Sequence, residues 1–190
     1  MKTFVILAVL LVAACGTAPK ESFYTLSTDA APMAASTSPQ LAIFVGPVAV
    51  PEDVDRAPII VRIGPNKVDL LEDHRWAEPL KSAIPRVLAE GLMRELATPR
   101  VFASRQGANQ TVDYRVAVEV RRFESSLDTG ASIDAVWTVT NAKGVTRSGR
   151  SVLSEPASSR DLQAVAAAHS RALGRMAGEI AAGIRAFPSG

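Results

Sequence analysis

Only one cysteine, Cys15, occurs in the 190 residues, so no intramolecular disulfide can form and no cysteine cluster can hold a metal. Histidine is almost as scarce. His74 and His169 lack metal-ligand spacing, and both are read as structural. No sign of charge dominates: 21 basic residues stand against 19 acidic, which gives no reason to expect nucleic acid as a partner. GxSxG, Walker and GxGxxG motifs are missing. The acids near turns, Asp53, Asp55, Glu72 and Asp73, do not mark a general acid/base pair. The expectation is therefore a protein without enzymatic activity, metal or small-molecule cofactor. A Ser/His/Asp set brought together in space is the one remaining route to a hydrolase. Aromatics make up only 5% of the chain, which makes Trp76 and Trp137 useful markers.

The N-terminus carries the clearest chemistry. Lys2 is followed by an unbroken apolar run, FVILAVLLVAA, from Phe4 to Ala14. A membrane-spanning helix needs about 20 such residues, so this run is the core of a secretory signal. A buried helix is the rival reading, and the lack of a polar face speaks against it. Val12-Ala13-Ala14-Cys15 then has the form of a lipobox: a branched aliphatic, two small residues that fit a peptidase cleft, and a thiol that can take up diacylglycerol as a stable thioether. Residues 1–14 are read as the signal and Cys15 as the lipidated N-terminus. An ordinary signal with a free cysteine beside the cut is the alternative. Each buried CH₂ contributes roughly 0.8 kcal/mol, so an anchor of two or more acyl chains holds where one would not. Gly16, rather than Asp, follows the cysteine, which under enteric-type sorting favours the outer membrane.

After the anchor, residues 15–40 read as a lipidated terminus, a short strand at Phe23-Tyr24-Thr25-Leu26 and a flexible tether rich in Ala, Ser, Thr and Pro. Residues 41–187 read as one domain. Strands are expected at 41–50, with a bulge or bend at Gly46-Pro47, and at 59–63 and 68–71, the three forming a meander. Apolar residues at three- and four-residue steps predict a helix over 79–97, kinked at Pro85 or starting later than Pro79. A short strand at 100–104 follows. Residues 113–120 and 131–139 alternate strictly. Phe123 has the wrong parity, which predicts a bulge near Arg121-Arg122. With 145–153 these strands make an antiparallel meander around a turn at 141–144. The last helix carries a stripe from Leu162 through Val165, Ala166, His169, Leu173, Met176, Ile180 and Ile184 to Phe187. Ser158 and Asp161 have capping-box spacing. Gly174, Gly178 and Gly183 allow a close neighbour, either the sheet or a second copy in a homo-oligomer. The fold class is α+β: a mixed, mostly antiparallel sheet with two main helices packed on one face.

Several segments, in order, resemble the PqiC/YmbA-type family of auxiliary lipoproteins of ABC-type envelope transporters. They are Phe23–Leu26; Val45-Gly46-Pro47-Val48 running into Pro51, Asp55-Arg56 and Ile60-Val61-Arg62; Arg75-Trp76-Ala77-Glu78-Pro79-Leu80; Pro85-Arg86-Val87-Leu88; and Arg122-Phe123 with Trp137. Asp53 replaces an aromatic common in the family, and Ala57-Pro58 replaces a proline directly after the arginine. The resemblance implies a non-catalytic lipoprotein, at the periplasmic face of the outer membrane, that docks an MCE-domain protein forming the conduit of a lipid transport system and supports membrane integrity. Pro51, Asp55, Arg56, Arg75, Trp76, Pro79 and Trp137 are its candidate docking residues, or else structural ones. The alternative is a stand-alone lipid-binding lipoprotein, which needs an apolar cavity of roughly several hundred Å³.

Overall fold

The structure is a computed structural model that describes residues 20–28, 41–103 and 110–188. Cys15, Gly16 and most of the tether lie outside the described residues. Among the described residues, eight strands and two helices follow in the order β1 (Ser22–Tyr24), β2 (Ile43–Ala49), β3 (Pro58–Gly64), β4 (Lys67–Trp76), α1 (Leu80–Glu95), β5 (Val101–Phe102), β6 (Tyr114–Ser126), β7 (Gly130–Asn141), β8 (Thr146–Glu155) and α2 (Leu162–Arg185). The fold is α+β. The long ladders, β3–β4, β6–β7 and β7–β8, are antiparallel, while the parallel contacts β1–β4, β2–β5, β2–β6 and β3–β6 are short.

The strand alternation of β6 and β7 puts Val116, Val118, Val120, Ile133, Ala135 and Val139 in the core, and α2 lays its apolar stripe on that face. The stripe from Leu162 to Phe187 is buried throughout, His169 included. The expected bulge lies between Val120 and Arg122, where the β6–β7 register slips and returns Phe123 to the core. The irregularity expected at Gly46-Pro47 also occurs: the peptide bond is cis, and the β2–β6 register shifts between Val45 and Val48.

The meander expected for the first three strands does not form. β3 and β4 make a hairpin, but β2 does not pair with β3. β7 occupies one whole edge of β6, and its other edge is shared, by β2 along Tyr114–Glu119 and by β3 at Ser125. β2 finds a parallel partner some 70 positions later in the chain, a choice that local pattern does not reveal.

β4 also runs on past residue 71 to Trp76, through a charged stretch without apolar alternation, because β1 pairs with it in parallel at His74–Trp76. The folded body therefore reaches upstream of residue 41: β1 belongs to the sheet and Leu26 to the core. The last helix begins at Leu162 with Asp161 as its N-cap, accepting from the Ala164 N–H at 2.8 Å, and Ser158 is not the cap. α1 starts at Leu80, one residue later than Pro79, and runs on with Pro85 inside the helix. Of the three α2 glycines, only Gly183 lies tight against another side chain, the Trp137 ring; around Gly174 there is open space. The two helices come close at Gly91, where a Cβ would stand 2.6 Å from that of Ala177.

Candidate functional site

The junction between β4 and α1 is built from the segment Arg75–Leu80. The Trp76 N–H donates to the Ala57 carbonyl and the Ala77 N–H to that of Tyr24, both at 2.8 Å, so one turn ties β1, the β2–β3 loop and the start of α1 together. Pro79 is the N-cap residue of α1 and offers no side-chain acceptor. Asp55 supplies one from the β2–β3 loop. Its carboxylate accepts from the Lys81 N–H at 3.3 Å and pairs with the Lys81 ammonium at 3.2 Å. A carboxylate here also meets the positive end of the helix dipole.

Behind the junction, the buried Trp76 ring stands edge-on to Phe123 and His169, with centroids 6.1 Å away in each case. The Phe123 ring stacks on the imidazole of His169. His169 Nε2 is 2.9 Å from Ser125 Oγ, while Nδ1 is buried with no hydrogen-bond partner among the described residues. Burial pushes the His169 pKa down to about 3, so the ring is neutral. A serine and a histidine thus meet, but no carboxylate orients the imidazole and both residues are sealed in the core. That arrangement lacks both the acid and the access a hydrolytic triad needs. Among the described residues no group of three or more His, Cys, Asp and Glu is placed to hold a metal.

Arg86 organises the other side of the junction. Its guanidinium donates to Glu78 at 2.5 Å, Glu90 at 3.2 Å and the Leu26 carbonyl at 2.9 Å. Hydrogen bonding to Glu78 raises its pKa further above the ordinary arginine value. Nothing local in the sequence marks Arg86 as the clamp that holds residues 24–28 on α1. The Pro85-Arg86 pair in the family pattern was the only signal.

The candidate residues separate into two groups. Trp76, Asp55 and Pro79 build the junction, and Arg75 joins it to the N-terminal segment through an ion pair with Glu21 at 3.0 Å. Trp137 lies elsewhere: it packs against Gly183, roughly 21 Å along α2 from His169 at 1.5 Å per residue. Its indole N–H donates to Ser151 Oγ at 3.1 Å, and Ser151 donates on to Glu179. Trp137 is thus a core wedge. Arg56 and Pro51, by contrast, face outward, Arg56 exposed and Pro51 half-buried at the rim of a cleft.

That cleft, of about 260 Å³, occupies the fork where β2 and β3 diverge on β6. Val54, Ile60 and Val68 give it an apolar lining, and Arg62, Arg121 and Arg122 a basic rim. The rim is held in place by Glu124, 2.6 Å from Arg62 and 3.7 Å from Arg122, and by Glu119, 3.3 Å from Arg121. The bulge at Val120–Arg122 points this part of β6 into the fork. A second, larger groove of about 810 Å³ runs between the cis Gly46–Pro47 segment of β2 and α1, lined by Phe44, Val48, Pro85 and Arg86 among others. Both are open to solvent. The body between sheet and helices is filled by Ile84, Leu88, Leu92, Leu173, Met176 and Ile180.

Comparison with known proteins bears on this arrangement. A family model described as "ABC-type transport auxiliary lipoprotein component" matches residues 24–181. No curated protein matches the chain. The fold is shared with a crystal structure of a Xanthomonas campestris protein from the family DUF330, at 22% identity and TM-score 0.67, covering 84% of this chain and 92% of that one. It is also shared with a crystal structure of an uncharacterized protein, at 17% identity and TM-score 0.70, covering 87% and 99%.

Proposed function

The chain belongs to the family of ABC-type transport auxiliary lipoprotein components, of the PqiC/YmbA type, and from that premise we propose that it docks the MCE-domain conduit of such a transporter at the periplasmic face of the outer membrane. In this reading it performs no catalysis. The observation that carries the reading is the fork between β2 and β3. There Pro51, Arg62 and the Arg122-Phe123 bulge, three parts of the family pattern, line one outward surface with an apolar floor and a basic border. Such a surface suits a protein partner: the apolar floor supplies affinity and the arginines orientation. Cys15 supplies the tether.

The test is capture of MCE-domain proteins from the same envelope by the lipidated chain, in membranes and in detergent. Specific capture, reduced by changes at the fork, is the expected result; no capture in either medium overturns the docking role. Separation of inner and outer membranes, with Gly16→Asp as comparison, tests the location. The groove of about 810 Å³ along β2 favours a second reading, a stand-alone lipid carrier. Phospholipid co-purifying stoichiometrically with the delipidated domain would support it.

A further inference from the structure

Two hairpin tips of this domain expose apolar side chains, and they lie at opposite ends of the sheet. Val145, 53% exposed, follows the β7–β8 turn. Ile63 and Val68, each also 53% exposed, flank the Pro65-Asn66 turn between β3 and β4, and Leu70 is 38% exposed one step further on. The opposition follows from topology. β3 is parallel to β6, so its tip lies at the end where β6 turns into β7, whereas the β7–β8 turn lies at the other.

The β3–β4 tip is built to present these groups. The register slips between Arg62 and Gly64, so Ile63 has no cross-strand partner. Arg62 braces the turn from behind by donating to the Gly64 and Pro65 carbonyls at 3.2 and 2.8 Å, with Glu124 holding the same guanidinium. An exposed edge hairpin is usually blunted by charge, yet only Lys67 is charged at this tip. Lysine can lay its stem along an apolar surface and keep its ammonium among headgroups.

The direction of β1 identifies the occupant. β1 runs parallel to β4 with Ser22 beside His74, so its N-terminal end faces back along β4 toward Lys67. The distance from His74 to Lys67 is roughly 23 Å at about 3.3 Å per residue. Cys15 precedes Ser22 by seven residues, a span of at most about 25 Å. The anchor point can therefore reach the end of the sheet that carries Ile63 and Val68, the end toward which the N-terminus of β1 faces. We propose that the β3–β4 tip, through Ile63 and Val68, rests in the headgroup layer of the phospholipid bilayer that holds Cys15, fixing the domain's orientation on the membrane. Asp69, Glu72 and Asp73 further along β4 keep that flank in water, so contact is confined to the tip.

The proposal rests on Cys15 being the lipid anchor, and the test separates the two. Because Cys15 is the sole cysteine and is consumed by acylation, Val68→Cys and Val145→Cys each create one labelling site in the full lipidated chain. Each is labelled with an environment-sensitive fluorophore and reconstituted into phosphatidylethanolamine–phosphatidylglycerol vesicles carrying headgroup-level nitroxide lipids. Quenching several-fold stronger at 68 than at 145 is expected, with a blue-shifted emission at 68; Ile63→Cys should repeat it. Equal quenching at 68 and 145 on protein that floats with the vesicles overturns the proposal and leaves the anchor standing. Shielding at 68 only after an MCE-domain protein is added assigns the tip to a protein and also overturns it. Failure to float removes the anchor on which it rests.

Discussion

The rings of Phe123 and His169 lie face to face, 3.9 Å between centroids and 8° from parallel, across the contact between β6 and α2. Burial alone lowers the His169 pKa, to about 3. In the unfolded chain the ring titrates near 6.5, so between those values the unfolded state binds the proton and the folded state does not. Stability from this source is intact above pH 6.5 and is lost as pH falls toward 3. By pH 5 the loss should be on the order of 2 kcal/mol. Urea unfolding at pH 7 and pH 5 measures it. In His169→Leu the dependence between these values should flatten; an unchanged slope means His169 does not control it.

Asp55 caps α1 from outside the helix. Asp55→Ala should cost about 1 kcal/mol, as for the loss of an N-cap side chain. Lys81→Ala, at a side chain that is 64% exposed, should change stability by only a few tenths of a kcal/mol, roughly. Chemical denaturation of the pair separates the cap from the surface ion pair.

Three glycines should answer alanine differently. At Gly149 the new Cβ would lie 2.2 Å from the Trp137 ring and at Gly183 2.9 Å, so both changes force the indole out of place. We expect losses of about 1–3 kcal/mol, exceeding the helix-propensity gain at Gly183. Gly174 has open space, and Gly174→Ala should stabilise by up to about 1 kcal/mol. Melting temperatures ordered 174 above wild type above 183 check the reasoning.

Arg86 is the clamp on the N-terminal segment. Arg86→Met keeps the stem but removes the donors to Glu78, Glu90 and the Leu26 carbonyl. A stability loss of roughly 2 kcal/mol should accompany faster amide exchange in residues 24–28. Exchange confined to other parts of the domain would contradict the clamp.

Arg56 is exposed and serves no junction described above. Arg56→Glu should leave stability within about 0.5 kcal/mol of wild type. It should nonetheless weaken capture of the MCE-domain partner, which separates docking from folding in one variant.

How far these relationships could be read in advance depended on the range of the interaction. β6, β7 and β8 were legible because one face is buried and alternation is strict, and Phe123 betrayed the bulge by its parity. The stripe from Leu162 to Phe187 marked α2 for the same reason. Charged residues through Glu72–Arg75 hid the second half of β4, whose strand character comes from pairing with β1. Leu26 sits in a polar segment, so its burial was invisible locally. The Asp55 cap joins residues 26 positions apart, and a capping pattern looks only a turn away. At the candidate site, the order of motifs was visible, but not the division between residues that build the junction, such as Trp76, and those that line the fork, such as Pro51.

The shared edge of β6 has a consequence for the order of assembly. β2 and β3 both dock on a strand that comes much later in the chain, and β2 has no other long partner. A chain emerging N-terminus first, whether from a ribosome or a translocation channel, can close the β3–β4 hairpin but cannot bury β2 until residues 114–119 arrive. Loop closure of that length is slow relative to hairpin formation. The first half of the polypeptide therefore stays threadable while the second half is still being delivered, and the domain locks shut only once β6 is through.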